Sequence, residues 1–394
     1  MTRKVWKSFK IVSLVLLAAI LLSACNLPSA SPTAVTTASP APSQAPTLAS
    51  PTATPTGAPG PTVQVLTDVS LRTFQMVDAQ HGWAASDHLV LRTSDGGRTW
   101  EDATPKDVPS DVDPSFQVTA VSPQAAWMIV PDKEDFRKGT LYRTSDGGQT
   151  WQSAAVPFGG GWVQFQDEAH AVLMADRGVA AGSQGVDLYQ TDDAGATWNL
   201  ISHVDPQNPS DQGIPFGGNK SGVTFRDSTH GWVTGFMPVD GGVYLYATRD
   251  GGKTWQPVQL DLPAGWQQAQ IESKPPVFFG TQDGILTLRA SANVGQLVLF
   301  VTHDGGDTWQ ATTTLQASGM VSIPSATDVI VWDGAMLHYS LDAGQTWQER
   351  TPNLDLSQSL IALQFVDRNT GWALSQEASG TRLYRTTDGG ATWE

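Results

Sequence analysis

The sequence predicts an all-β chain: a seven-bladed β-propeller of four-stranded antiparallel blades, preceded by a disordered tether. Two repeated patterns and one abrupt change of composition predict it. A motif recurs seven times at a period near 49 residues. That period suits a four-stranded blade, and a fixed repeat decides the fold before local signals do.

The stronger pattern is an eight-residue box, Ser/Thr-x-Asp-Gly/Ala-Gly-x-Thr-Trp. Its aspartates are Asp95, Asp146, Asp193, Asp250, Asp304, Asp342 and Asp388, at intervals of 51, 47, 57, 54, 38 and 46 residues. Its tryptophans are Trp100, Trp151, Trp198, Trp255, Trp309, Trp347 and Trp393. Each part has a mechanical reason. The carboxylate accepts backbone N–H groups within its own turn. The first glycine is replaced by Ala194 and Ala343, whereas the second is glycine in all seven copies, so only the second is expected to need a positive φ. The threonine opens a fourth strand, and the tryptophan buries its ring against a neighbouring blade. Seven copies of one carboxylate argue against a catalytic acid, because catalysis needs a few distinct groups in one cleft. A calcium loop needs more oxygen ligands than the box supplies, so no metal and no cofactor are expected.

A weaker frame precedes each box: an apolar residue followed seven positions later by a Trp or aliphatic residue. It reads FVDRNTGW from Phe365, FRDSTHGW from Phe225 and MVDAQHGW from Met76, with degraded copies from Ala120, Phe165, Phe279 and Ile323. The frame predicts an inner strand, a tight turn and the start of a second strand. After the last box only Glu394 remains, so Thr62–Val69, with Val63, Val65 and Thr67 alternating, is expected to complete the last blade, a chain truncated at its C-terminus being the competing explanation.

The composition changes ahead of the repeats. Arg3, Lys4, Lys7 and Lys10 precede an apolar run from Ile11 to Leu22, the form of a signal peptide and too short to span a bilayer. The run ends in Leu22-Ser23-Ala24-Cys25, which holds the only cysteine and resembles a bacterial lipobox. That resemblance implies cleavage after residue 24, lipidation of Cys25 and a lasting membrane anchor. Residues 26–62 contain nine prolines and no charge, which predicts an extended spacer. The expected organisation is therefore residues 1–24 signal peptide, 25–62 lipidated linker and 63–394 propeller. Without the signal, 19 basic side chains face 38 acidic ones, a net of −19 that disfavours nucleic acid as a partner.

The box resembles the Asp-box, or bacterial neuraminidase, repeat, which implies a sialidase-like or YVTN-like propeller. The fuller unit, frame plus Leu-Tyr-Arg-Thr-x-Asp-Gly-Gly-x-Thr-Trp, is similar to the photosystem II assembly and stability factor propellers. The resemblance covers residues 63–394 and speaks to architecture more than function, since hydrolases and assembly factors share the box.

In such propellers the box lies opposite the usual binding face, so binding residues are sought on the long loops of the other face. The insertion PDKEDFRKG supplies Phe136 and Arg137, and the longest connectors supply Asp205, Asp211, Phe216, Lys220, Trp266, Glu272 and Lys274. Exposed Trp and Phe there are candidate anchors, and solvated insertions are the plainer reading. Arg92, Arg143 and Arg385 each stand three residues before a box aspartate. They form either a basic strip for an acidic partner or internal pairs between blades.

The opening Phe/Tyr-Arg-Ile-Pro element of sialidases is absent, and no serine elbow, phosphate loop or metal-ligand spacing appears. The expected function is an extracytoplasmic, lipid-anchored, monomeric and non-catalytic propeller that binds or scaffolds other proteins, like the assembly factors it resembles. The alternative is a glycoside hydrolase, sialidase-like or xyloglucanase-like, or a glycan-binding surface lipoprotein, because 38 acidic residues leave room for a catalytic pair.

Overall fold

A computed structural model describes residues 65–67, 69–109, 116–204, 212–291, 295–357 and 359–394. The signal sequence, Cys25 and the linker lie outside the described residues, as do Asp205 and Asp211.

Each repeat is an antiparallel meander of short strands. In the first, Thr73–Met76, Gly82–Ala85, Val90–Thr93 and Trp100–Asp102 follow one another, with Trp83 opposite Arg92. The second strands are buried over most of their length, and wholly so in Gly82–Ala85 and Val329–Trp332. The reason is that both faces of each sheet pack against neighbouring repeats, which favours continuous apolar runs over alternation.

The molecule is an all-β propeller, but the expected count of seven separate four-stranded blades is not what forms. Among the described residues the strands make six hydrogen-bonded sheets of five, four, nine, four, three and four strands. Five are discrete blades, and the sixth is a nine-stranded sheet carrying both the Asp250 and Asp304 boxes. Pro275 and Pro276 explain the fusion. Lacking N–H donors, they split one strand into Gln270–Ser273 and Val277–Phe279. The freed upper piece pairs Glu272 with Phe236 of the preceding repeat. Ser273 ties the join, its hydroxyl donating to Tyr244 O at 2.6 Å and accepting from Gly235 N at 3.0 Å.

The expected closure by Thr62–Val69 is also corrected. Val65–Leu66 pairs with Trp100–Asp102, in the first blade rather than the last. There Leu66 and Val69 pack with Leu71, Trp100, Trp372 and Leu383, sealing the seam between first and last repeats from the opposite side. The last blade has three strands, and Glu394 alone exchanges two backbone bonds with Arg385, at 2.9 and 3.0 Å.

Inner-strand glutamines join the repeats. Gln75 reaches Ala120, Gln164 reaches Phe225 and Gln364 reaches Met76. Each side-chain amide accepts from that residue's N–H and donates to its carbonyl, as a strand backbone does. The Gln364–Met76 pair closes the circuit between last and first repeats.

Candidate functional site

The box proves to be a closed hydrogen-bond unit. Asp95 accepts the Thr99 N–H at 2.9 Å on one oxygen and the Thr99 hydroxyl at 2.7 Å on the other. The Thr93 hydroxyl donates to Asp95 at 2.9 Å and accepts from Gly97 N at 2.9 Å. The same bonds recur at the other six boxes. The threonine N–H and then its hydroxyl hold the Asp250 and Asp388 carboxyls down at about 2.

Both glycine positions of the box, not only the second, have positive φ, and Ala194 and Ala343 adopt φ of 59° and 56° at the first. Alanine is tolerated there because these angles fall in the small left-handed region open to L residues. The second glycine is required for space as well. A Cβ on Gly306 would lie 2.3 Å from the Trp232 ring, and one on Gly148 would lie 2.7 Å from Ala103.

The N–H at the first glycine position donates to a frame-turn carbonyl of its own repeat in all seven cases, at 2.7–3.0 Å. Boxes and frame turns therefore share one face. Arg92 pairs with Glu101 and donates to Gly147 O at 2.7 Å; Arg143 donates to Gln152 and, at 2.7 Å, to Asp193 O. Arg385 lies over Trp372 and donates to Ala79 O at 3.3 Å. All three guanidinium groups reach across to the next repeat's box or turn. Arg226 and Arg350 do the same, donating to Gly305 O and Gly389 O. The box tryptophans also pack between repeats, Trp151 edge-on to Trp83 and Trp309 edge-on to Trp232.

The opposite face carries the loops that join second to third strands, and the expected binding residues divide there. Phe136 is 74% exposed, with Arg137 over its ring. Val179, in the strand Ala171–Ala180 near the tip of the corresponding hairpin of the next repeat, and Val239, on the loop of the repeat after that, are 64% and 57% exposed. A groove of about 630 Å³ runs beside Phe136, Arg137, Arg177 and the glycines Gly159–Gly161. Trp266, expected as an exposed anchor, is instead buried in the short 3-10 helix Trp266–Gln268, packed with Ile271 and Leu286. Lys220 is buried too: its ammonium donates to the carbonyls of Gln184, Phe216, Gly217 and Gly218, beside the rings of Phe216 and Tyr244. Burial lowers its pKa to about 8. Glu272 and Lys274 form an ion pair at 2.6 Å.

Sequence reasoning missed Trp162. It is 45% exposed and borders a cavity of about 900 Å³, where the first strands of the third to sixth repeats converge. A signal existed: three residues before the frame, where other repeats carry Thr73, Gln117 or Gly222, this one carries a large aromatic.

Fold and site define a β-propeller with a mechanical face and an opposite face of irregular loops. Residues 56–203 match the family described as photosynthesis system II assembly factor YCF48. The photosystem II stability/assembly factor HCF136 of Cyanidioschyzon merolae is 34% identical over 329 residues, covering 58% of this chain and 71% of that protein. The chain belongs to this family of photosystem II stability/assembly factors. The photosystem II assembly lipoprotein Ycf48 of a Synechococcus strain is 29% identical over 161 residues, 40% of this chain and 38% of its own length. Among solved structures, YCF48 bound to a D1 peptide superposes with a TM-score of 0.52 at 19% identity, covering 82% of this chain and 96% of that one. A GH74 xyloglucanase from Xanthomonas campestris reaches 0.57 at 12% identity, covering 84% and 55%. At these identities both likenesses show the fold alone.

Proposed function

We propose that this chain is a lipid-anchored extracytoplasmic propeller that binds and helps assemble other proteins, with a photosystem II polypeptide such as D1 as its partner. Family membership carries this reading: relatives are named stability/assembly factors, one of them a lipoprotein, and YCF48 has been solved with a D1 peptide. Cys25 is the anchor, residues 26–62 are the spacer and residues 63–394 are the binding domain. The partner is met on the loop face, where Phe136, Val179 and Val239 stand exposed on successive repeats, since rigid scaffolds bind through such loops.

Glycan hydrolysis is the less favoured reading. Paired-carboxylate chemistry needs two acids about 5–10 Å apart, and among the described residues no Asp or Glu lines the large central cavity. The deciding experiment offers the full chain an immobilised D1 peptide, with xyloglucan as a parallel substrate. Saturable capture that Phe136→Ser weakens is expected. Release of reducing sugar without peptide capture overturns the reading.

A further inference from the structure

The central cavity has a charge pattern at odds with the chain that builds it. Acids outnumber bases 38 to 23 in the sequence, yet among the described residues the charged side chains lining the cavity are Arg226, Lys274 and Arg289. Arg226 is accounted for by Asp227, 2.9 Å away, and by Gly305 O. Lys274 and Arg289 share a single carboxylate, Glu272, which lies 2.6 Å from the lysine and 3.9 Å from the guanidinium. One positive charge is left over. Arg289 donates to Gly319 O at 2.5 Å, and its buried Nε has no partner among the described residues.

Beside these cations is an apolar platform. The Trp162 indole donates to Val223 O at 2.9 Å, which fixes the ring at one edge. Gly222 makes room for it, since a Cβ there would lie 2.8 Å from Trp162 and 2.6 Å from Pro275. Pro275 adjoins Lys274 in the chain, so platform and surplus charge are neighbours, and Phe278 and Val277 extend the wall.

We propose that this cavity binds a monoanionic carboxylate borne on an apolar or aromatic body, the carboxylate meeting Lys274 and Arg289 and the body lying on Trp162. A single surplus charge matches a carboxylate better than a dianionic phosphate. A polypeptide C-terminus and a free small acid present the same chemistry. The site goes beyond partner binding on the loop face, and its failure leaves that reading untouched.

Calorimetric titration of the full chain with N-acetylphenylalanine and with N-acetylphenylalaninamide tests it. The acid is expected to bind about tenfold or more tightly than the amide, the value of one charged hydrogen bond. Lys274→Met, at a half-exposed position, is expected to abolish that preference without lowering the melting temperature. Trp162→Leu is expected to weaken both probes. Equal affinity for acid and amide, or no binding of either, overturns the proposal, and this comparison on the unaltered chain decides it even if Trp162→Leu fails to fold. A hexapeptide ending in phenylalanine separates the sources: tighter binding than N-acetylphenylalanine assigns a chain end, and equal binding a small acid.

Discussion

The two faces of the propeller are built on opposite principles. On the box face the same hydrogen bonds recur seven times, and its arginines and tryptophans are spent on the neighbouring repeat. On the loop face the connections from second to third strand differ in length, from two residues at 181–182 to seven at 132–138, and large apolar side chains stand in solvent at Phe136, Val179 and Val239. Repetition marks what every repeat must do to stay in the ring, and the irregular face is the one on which we propose that partners are met. Four experiments break or sharpen this contrast.

The largest effect is expected at the second box glycine. Gly306→Ala forces a methyl into the Trp232 ring and is expected to cost about 3 kcal/mol or more. Gly251→Ala, at the position where two natural boxes carry alanine, is expected to cost about 1 kcal/mol. Denaturant titration of the two variants checks the order, and equal losses break the distinction between the two glycines.

Acid comes next. The box carboxyls are lowered in the folded chain, Asp250 and Asp388 to about 2. A group with a depressed folded pKa contributes stability that is fully present above its unfolded value near 4 and is lost as pH falls through the folded one. Stability is therefore expected to drop between about pH 4 and pH 2, and Asp250→Asn to flatten part of that drop while costing about 1 kcal/mol at pH 7. Urea midpoints across this range are the measurement.

Lys220 has the opposite dependence. Burial lowers its folded pKa to about 8, below the unfolded value near 10.4, so the unfolded chain holds the extra proton between them. Its contribution to stability is expected to grow as pH rises from about 8 to 10, relative to a Lys220→Met reference whose curve lacks the term. Parallel curves would show that the four carbonyls around the ammonium cancel the effect of burial.

The smallest change in stability belongs to the loop face. Phe136→Ser is expected to shift stability by no more than about 0.5 kcal/mol while weakening capture of the D1 peptide. A large loss of stability would move Phe136 from recognition to structure.

The box and frame made most of the fold legible, because local turn chemistry repeats wherever a repeat begins and ends its strands. The carboxylate bonding to its own turn, the threonine and the packed tryptophan are set within eight residues and needed no tertiary information. The inter-repeat glutamines were visible as Gln75, Gln164 and Gln364, each one residue before the frame, but nothing local says that a side-chain amide will complete a neighbour's backbone.

What the sequence by itself determined is the propeller class and the positions of its fasteners, both consequences of short-range stereochemistry. Only the tertiary structure decided how many separate sheets form, because Pro275 and Pro276 release a strand to whichever neighbour lies within hydrogen-bond reach. It also placed Val65–Leu66 in the first blade, buried Trp266 and Lys220, and left Trp162 open to the cavity. Burial depends on what packs opposite a residue, and that partner comes from elsewhere in the chain.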